Sequence, residues 1–130
     1  MCAVLLALAL AACRGDSGDP AAVTRAFIRA VMAAESEQVR TLTCAEWQAT
    51  TVRWANGGTP GLHVDTDHLV LTVGERRGPL VEVRVTGTLA LRAPDGRREV
   101  RSLDGGGALL FTLIDEAGWK VCGVTGMLPG

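Results

Sequence analysis

The sequence has no tyrosine and few serines, histidines and lysines. Without tyrosine, a phenolic oxyanion donor is excluded. The three serines (Ser17, Ser36 and Ser102) lie outside any Gly-x-Ser-x-Gly turn of the kind that exposes a catalytic serine. Basic residues are scattered and the net charge is −1, so the sequence also lacks the basic stripe that nucleic-acid binding requires. No complete catalytic set is visible, no cofactor is predicted and no nucleic-acid partner is expected.

The N-terminal apolar run, residues 3–12, is too short to span a bilayer, which takes about 20 apolar residues. A buried helix is the alternative, but the run has no polar face. It fits the apolar core of a signal peptide, about 7–15 residues long. It ends in Leu10-Ala11-Ala12-Cys13, which resembles the lipobox of bacterial lipoprotein signal peptides. The resemblance implies cleavage before Cys13 and a diacylglycerol on its thiol.

This resemblance predicts three parts: a signal peptide (1–12), a lipidated cysteine with a flexible Gly/Ser-rich linker (13–18), and a single domain (19–130). The predicted location is the extracytoplasmic face of the cell membrane, with the lipid on Cys13 as the membrane contact. Only Met1 and Cys2 precede the apolar core, and the usual positive n-region is missing. We therefore expect the true translation start to lie upstream.

The number of cysteines is consistent with an extracytoplasmic location. Cys2 leaves with the signal peptide and Cys13 carries lipid, which leaves Cys44 and Cys122. Disulfides persist outside the cytosol, so we predict that these two cysteines are bonded. The alternative is a pair of unrelated buried thiols, because free cysteine packs as a small apolar residue. A metal site is disfavoured, since neither cysteine has a second ligand at short spacing.

The first half of the domain predicts helices. Asp19 is a strong N-cap residue and Pro20 suits the first helical position. The apolar residues that follow are spaced by four and three, which predicts an amphipathic helix with one buried face: Val23, Phe27, Val31 and Ala34. Residues 35–43 and 45–55 predict two further helices.

The second half predicts antiparallel strands. Residues 62–73 form the first, and residues 81–92 alternate apolar and polar side chains, which indicates one buried and one wet face. Residues 97–103 predict either a short polar strand or an extended segment. Residues 108–114 and 119–124 complete the pattern. The predicted fold class is α+β, with N-terminal helices packed on a curved four-stranded antiparallel sheet.

This layout resembles the nuclear transport factor 2-like superfamily, a cystatin-like cone. The resemblance rests on Val23-x-x-x-Phe27, on Leu42-x-Cys44-x-x-Trp47, and on the closing Gly118-Trp119-Lys120-Val121-Cys122. It implies that a helical Cys44 lies close to Cys122 on the last strand. It also implies a pocket between sheet and helices, where enzymatic relatives such as isomerases and epoxide hydrolases act.

One polar cluster stands out, His63-x-Asp65-x-Asp67-His68. In an extended strand, His63, Asp65 and Asp67 project to one side and offer weak candidates for a divalent metal or for acid–base chemistry. The alternative, which we favour, is a solvated turn. The apolar parity changes between Val64 and Leu69, so the backbone must break near residues 65–67.

Trp47 and Trp54 are seven residues apart on a predicted helix, so they share a face. They are the candidate pocket residues, as an aromatic wall for a ligand. The favoured alternative is ordinary core, because aromatic side chains dominate core burial.

Three functions fit these observations. The leading one is a non-catalytic, membrane-anchored extracytoplasmic domain that binds an envelope protein or a small ligand. The second is a small isomerase or hydrolase that uses Asp65, Asp67 or His63. The third is a carrier that holds an apolar molecule near Trp47 and Trp54.

Overall fold

A computed structural model of the chain describes residues 19–104 and 107–126. These residues form three α-helices followed by six β-strands. The predicted signal peptide (1–12), Cys13 and the linker (13–18) lie outside the described residues and stay predictions. Within the described part of the chain, every helix is too short or too polar to cross a membrane.

Helix α1 (Pro20–Met32) begins where the sequence predicts. The Asp19 carboxylate accepts a hydrogen bond from the Ala21 N–H at 2.9 Å and caps the helix. Val23, Phe27 and Val31 are buried, so the predicted apolar stripe is confirmed. The helix contacts four of the strands and so packs across the sheet.

Two shorter helices follow, α2 (Ser36–Thr41) and α3 (Gln48–Asn56), with a 3₁₀ turn at Ala45–Trp47. The second predicted helix, residues 35–43, ends early for a tertiary reason. The carbonyl of Leu42 accepts from the Val121 N–H at 2.8 Å, and the Cys44 N–H donates to the Val121 carbonyl at 3.1 Å. This segment pairs with the last strand instead of continuing the helix.

All the strands of the sheet pair antiparallel. They are β1 (His63–Asp65), β2 (Leu69–Val73), β3 (Leu80–Arg92), β4 (Arg98–Ser102), β5 (Leu109–Asp115) and β6 (Trp119–Thr125). The first part of β3 pairs with β2 and β5, the last part pairs with β1 and β4, and β6 lies outside β5.

The α+β class is confirmed, and the architecture is consistent with a cone-like fold. The predicted count of four strands is wrong. The segment predicted as one strand, residues 62–73, is interrupted after Asp65 and yields β1 and β2. The polar segment 97–103, left open as strand or extension, contains β4 as a strand of its own.

Gly87 lies at the point in β3 where the neighbouring strands change. Before it β3 pairs with β2 and β5, and after it β3 pairs with β1 and β4. Its φ is 94°, its N–H donates to the Asp104 carboxylate at 3.1 Å, and its carbonyl accepts from the Leu103 N–H at 2.7 Å. A Cβ at this position would lie 2.4 Å from the carbonyl oxygen of His68. A residue without a side chain is therefore required where β3 passes from one pair of neighbours to the other.

We predict that Gly87→Ala lowers the free energy of unfolding more than Gly96→Ala does. The two glycines have φ of 94° and 91°, so alanine is strained at both, by about 1–2 kcal/mol. A Cβ at Gly96 has nothing within 4 Å, whereas at Gly87 it meets backbone. The clash should add about 1–3 kcal/mol at Gly87. Urea unfolding of both variants measures this difference, and equal losses would contradict the close approach.

The core lies between α1 and the sheet. Phe27 and Phe111 are both fully buried and pack edge to face, with ring centroids 5.8 Å apart. The alternating apolar residues of β3 are buried around them, as the pattern predicted: Val81, Val83, Val85, Leu89 and Leu91.

The predicted disulfide between Cys44 and Cys122 is confirmed, with Cα atoms 5.4 Å apart. It joins the residue before the 3₁₀ turn to strand β6. Backbone pairing of Thr43 with Val121 lies next to it, and Lys120 donates to the Thr41 carbonyl at 2.6 Å. The disulfide and these hydrogen bonds hold the segment 41–44, between α2 and the 3₁₀ turn, against β6.

Candidate functional site

A cleft of about 400 Å³ opens between the end of α1, the loop from α3 to β1, and the β3–β4 hairpin. Its apolar lining comes from α1, α3, the loop before β1 and strand β3: Val31, Met32, Trp54, Leu62 and Leu91. Its charged lining comes from the hairpin and β4: Arg97, Arg98, Glu99 and Arg101. The cleft thus combines an apolar floor with a mainly cationic rim.

The loop after α3 is held against the end of α1. The Thr59 N–H donates to the Met32 carbonyl at 2.9 Å. A Cβ at Gly58 would lie 2.4 Å from the Val31 carbonyl oxygen, so only glycine permits this approach. These contacts fix the apolar wall of the cleft.

The opposite wall starts with the turn from β3 to β4. The Ala93 N–H donates to the Arg97 carbonyl at 2.8 Å, which closes the turn. The Asp95 carboxylate accepts from the Arg97 backbone N–H at 3.1 Å and from its Nε at 2.7 Å. The backbone N–H of Arg97 is the main cause that lowers the pKa of Asp95. Arg97 is therefore held at the rim by its own turn.

Strand β4 places an ion pair on the inner side of the sheet. Glu99 lies opposite Leu91, and Arg101 lies opposite Leu89. Directly opposite residues of an antiparallel pair share a face, so both charged side chains lie on the face of two buried leucines. The Arg101 Nε donates to the Glu99 carboxylate. The arginine side chain is 34% exposed and the glutamate side chain 55%, so the pair lies at the boundary between core and solvent.

The structure does not assemble the predicted polar cluster as a metal site. His63 and Asp67 are exposed, and β1 ends at Asp65, so Asp67 is not on the same strand. The Asp65 carboxylate accepts from the Asp67 N–H at 2.8 Å and serves the turn. Among the residues described by the structure, no three His, Cys, Asp or Glu side chains lie close enough to hold a metal ion.

The break between β1 and β2 is held by a buried threonine. The Thr66 carbonyl accepts from Arg25 at 2.7 Å, and its hydroxyl oxygen accepts from Arg29 at 3.2 Å. Both arginines extend from α1. This anchoring explains why the apolar parity changes between Val64 and Leu69.

Of the two candidate pocket residues, Trp54 lines the cleft and also packs against the core. The Trp47 ring contacts the Trp54 ring edge to face, at 5.9 Å between centroids. Both side chains are partly exposed, and Trp47 lies outside the set of described residues that line the cleft. Only Trp54 is therefore placed to touch a ligand there.

Sequence reasoning missed the charged wall. The signal was the turn at residues 93–96 after a strongly alternating strand. Once that turn is treated as a hairpin, Glu99 and Arg101 fall opposite the apolar positions of β3.

Comparisons with protein-family models, with curated proteins and with solved structures find no match for this chain.

Proposed function

We propose that the protein is a lipid-anchored extracytoplasmic domain of nuclear transport factor 2-like architecture, and that it binds a small ligand in the cleft without transforming it. The observation that carries the proposal is the cleft itself. Its volume of about 400 Å³ lies in the range of about 300–1,000 Å³ that is typical of small-molecule sites. An apolar floor with a few charged groups is the usual lining of such a site.

Two features support a binding role. Glu99, the acidic side chain among the described lining residues, is already paired with Arg101, and a paired carboxylate is a poor general base. The residues considered for acid–base chemistry, His63, Asp65 and Asp67, belong to β1 and the turn that follows it. They are not among the described residues that line the cleft.

The Cys44–Cys122 disulfide supports the extracytoplasmic location, because structural disulfides persist mainly in oxidising compartments. The lipobox-like Leu10-Ala11-Ala12-Cys13 supplies the proposed anchor.

The ligand-binding role predicts specific occupancy of the cleft. A set of small anionic, neutral and cationic aromatic molecules is screened by ligand-observed NMR against the full chain. Ala93 lines the cleft, so Ala93→Trp should fill it and abolish binding. Ala22→Trp, at an exposed position on α1, is the matched control and should leave binding unchanged. Absence of binders, or binding that Ala93→Trp does not reduce, would contradict the proposal.

The anchor predicts a lipid-bearing N-terminus. Intact mass of the protein extracted from bacterial membranes should correspond to a chain that starts at Cys13 and carries a diacylglycerol. Cys13→Ser should remove the lipid mass and release the protein from the membrane pellet, whereas Cys2→Ser should change neither. A product that retains Met1, or an unmodified Cys13, would contradict acylation.

A further inference from the structure

We infer that the ligand of the cleft is a small carboxylate with a flat apolar body. The inference rests on the proposed function and specifies the chemistry of its ligand. The apolar body would lie against Trp54, Leu62 and Leu91, and the carboxylate would face Arg101 of β4.

The charge around the cleft differs in sign from that of the whole chain. The chain carries a net charge of −1. Residues 92–101, which form the end of β3, the turn and most of β4, carry four arginines against two carboxylates. A local cationic excess beside an apolar floor favours an anion with an apolar part.

The strand register selects Arg101 as the β4 arginine on the same face as the apolar floor. Arg101 lies opposite the buried Leu89 and Glu99 lies opposite the buried Leu91, whereas Arg98 lies opposite Arg92. Because successive residues of a strand point to opposite faces, the Arg92–Arg98 pair lies on the other face of the sheet.

Glu99 already shows how a carboxylate binds here. Its carboxylate accepts from the Arg101 Nε while its backbone lies opposite the buried Leu91. Its oxygen atoms stand in the place that a ligand carboxylate would take. The Glu99 side chain is 55% exposed, so it can turn into solvent and leave the Arg101 Nε to a ligand carboxylate.

The test uses two probes of the same shape, 2-naphthoate and the neutral 2-naphthamide. Both are titrated by calorimetry into the full chain held in phosphatidylcholine nanodiscs, with empty nanodiscs as the blank. A charge-assisted hydrogen bond in place of a neutral one should make 2-naphthoate bind at least about tenfold more tightly. Equal affinities, or tighter binding of the amide, would overturn the inference.

Matched variants show which residues cause the preference for 2-naphthoate. Arg101→Gln should remove most of the preference for 2-naphthoate, whereas Arg84→Gln, on an exposed position of β3 outside the cleft lining, should keep it. Glu99→Gln should raise the affinity for 2-naphthoate several-fold, because the internal competitor is gone, and Glu82→Gln should not. Unchanged affinity for 2-naphthamide shows that each variant keeps an intact cleft.

The outcomes separate the two proposals. If a neutral or cationic probe binds in a manner sensitive to Ala93→Trp while 2-naphthoate has no advantage, the anion inference fails and the binding role stands. If no probe shows binding sensitive to Ala93→Trp, both fail. A preference for 2-naphthoate that survives Arg101→Gln would overturn the assignment of Arg101.

Discussion

Loss of the Cys44–Cys122 disulfide is expected to lower the free energy of unfolding by about 4 kcal/mol. The two cysteines are 78 residues apart, so the bond closes a loop that holds most of the described domain. In the chain-entropy account, a crosslink over such a loop acts mainly by restricting the unfolded chain. Domains of this size are stable by only about 5–15 kcal/mol, so the loss would be a large share of the total.

Denaturant unfolding with and without reductant measures this effect on the wild-type protein. Cys44→Ala combined with Cys122→Ala should unfold at the same denaturant concentration as the reduced wild type, and reductant should not shift this double variant further. The double variant with and without reductant is the control, because it shows whether reduction acts through Cys2 or Cys13. A change below about 1 kcal/mol on reduction would contradict a stabilising role for the crosslink.

Truncation of either buried phenylalanine is expected to cost about 3–5 kcal/mol. Phe27 and Phe111 are both 0% exposed and pack edge to face, one from α1 and one from β5. Each Phe→Ala change removes a large apolar surface and leaves a cavity where helix and sheet meet. The aromatic contact itself should appear as a coupling of about 0.5–1.5 kcal/mol in a double-mutant cycle.

The cycle compares Phe27→Ala, Phe111→Ala and the double variant by urea unfolding. Where an alanine variant does not fold, the Phe→Leu pair should show a smaller loss of the same sign. Val70→Ala, on a side chain that is 57% exposed, is the control and should change stability by less than about 0.5 kcal/mol. Strict additivity of the two losses would contradict direct contact between the rings.

Elements fixed by local patterns were predictable from sequence. The start of α1 follows from Asp19 and Pro20, and the inner face of β3 follows from strict alternation. The disulfide was predicted from the two cysteines that remain once Cys2 and Cys13 are assigned to the predicted signal peptide and lipid anchor. The helix start and the strand face are determined by the residues of those elements themselves, and the disulfide was inferred from the predicted compartment.

Elements that depend on distant partners were not predictable in detail. The early end of α2 results from pairing of Leu42 and Cys44 with Val121, which is remote in sequence. The count of strands was too low by two. The interruption at Thr66, held by two arginines of α1, turned one strand into two, and β4 proved to be a strand of its own. Propensity and alternation carry no information about such long-range contacts.

The cleft was not predictable from sequence either, because its walls come from distant parts of the chain. Its apolar wall comes from α1, α3 and the loop before β1, whereas its charged wall comes from the β3–β4 hairpin. The sequence pointed to Trp54, which lies there, and to His63, Asp65 and Asp67, which are not among its described lining residues. The Asp65 carboxylate serves a turn, which is the interpretation that the sequence favoured, whereas the arginines of the hairpin were overlooked.

The most direct test of the cleft as the functional site is a map of backbone amide shifts. The full chain, isotope-labelled and held in nanodiscs, is titrated with 2-naphthoate and 2-naphthamide. We predict that the largest shifts fall on backbone amides of residues that line the cleft: Trp54, Leu62, Leu91 and Arg98. Shifts centred on the exposed Val70 and Val73 of β2, or no shifts at all, would contradict it.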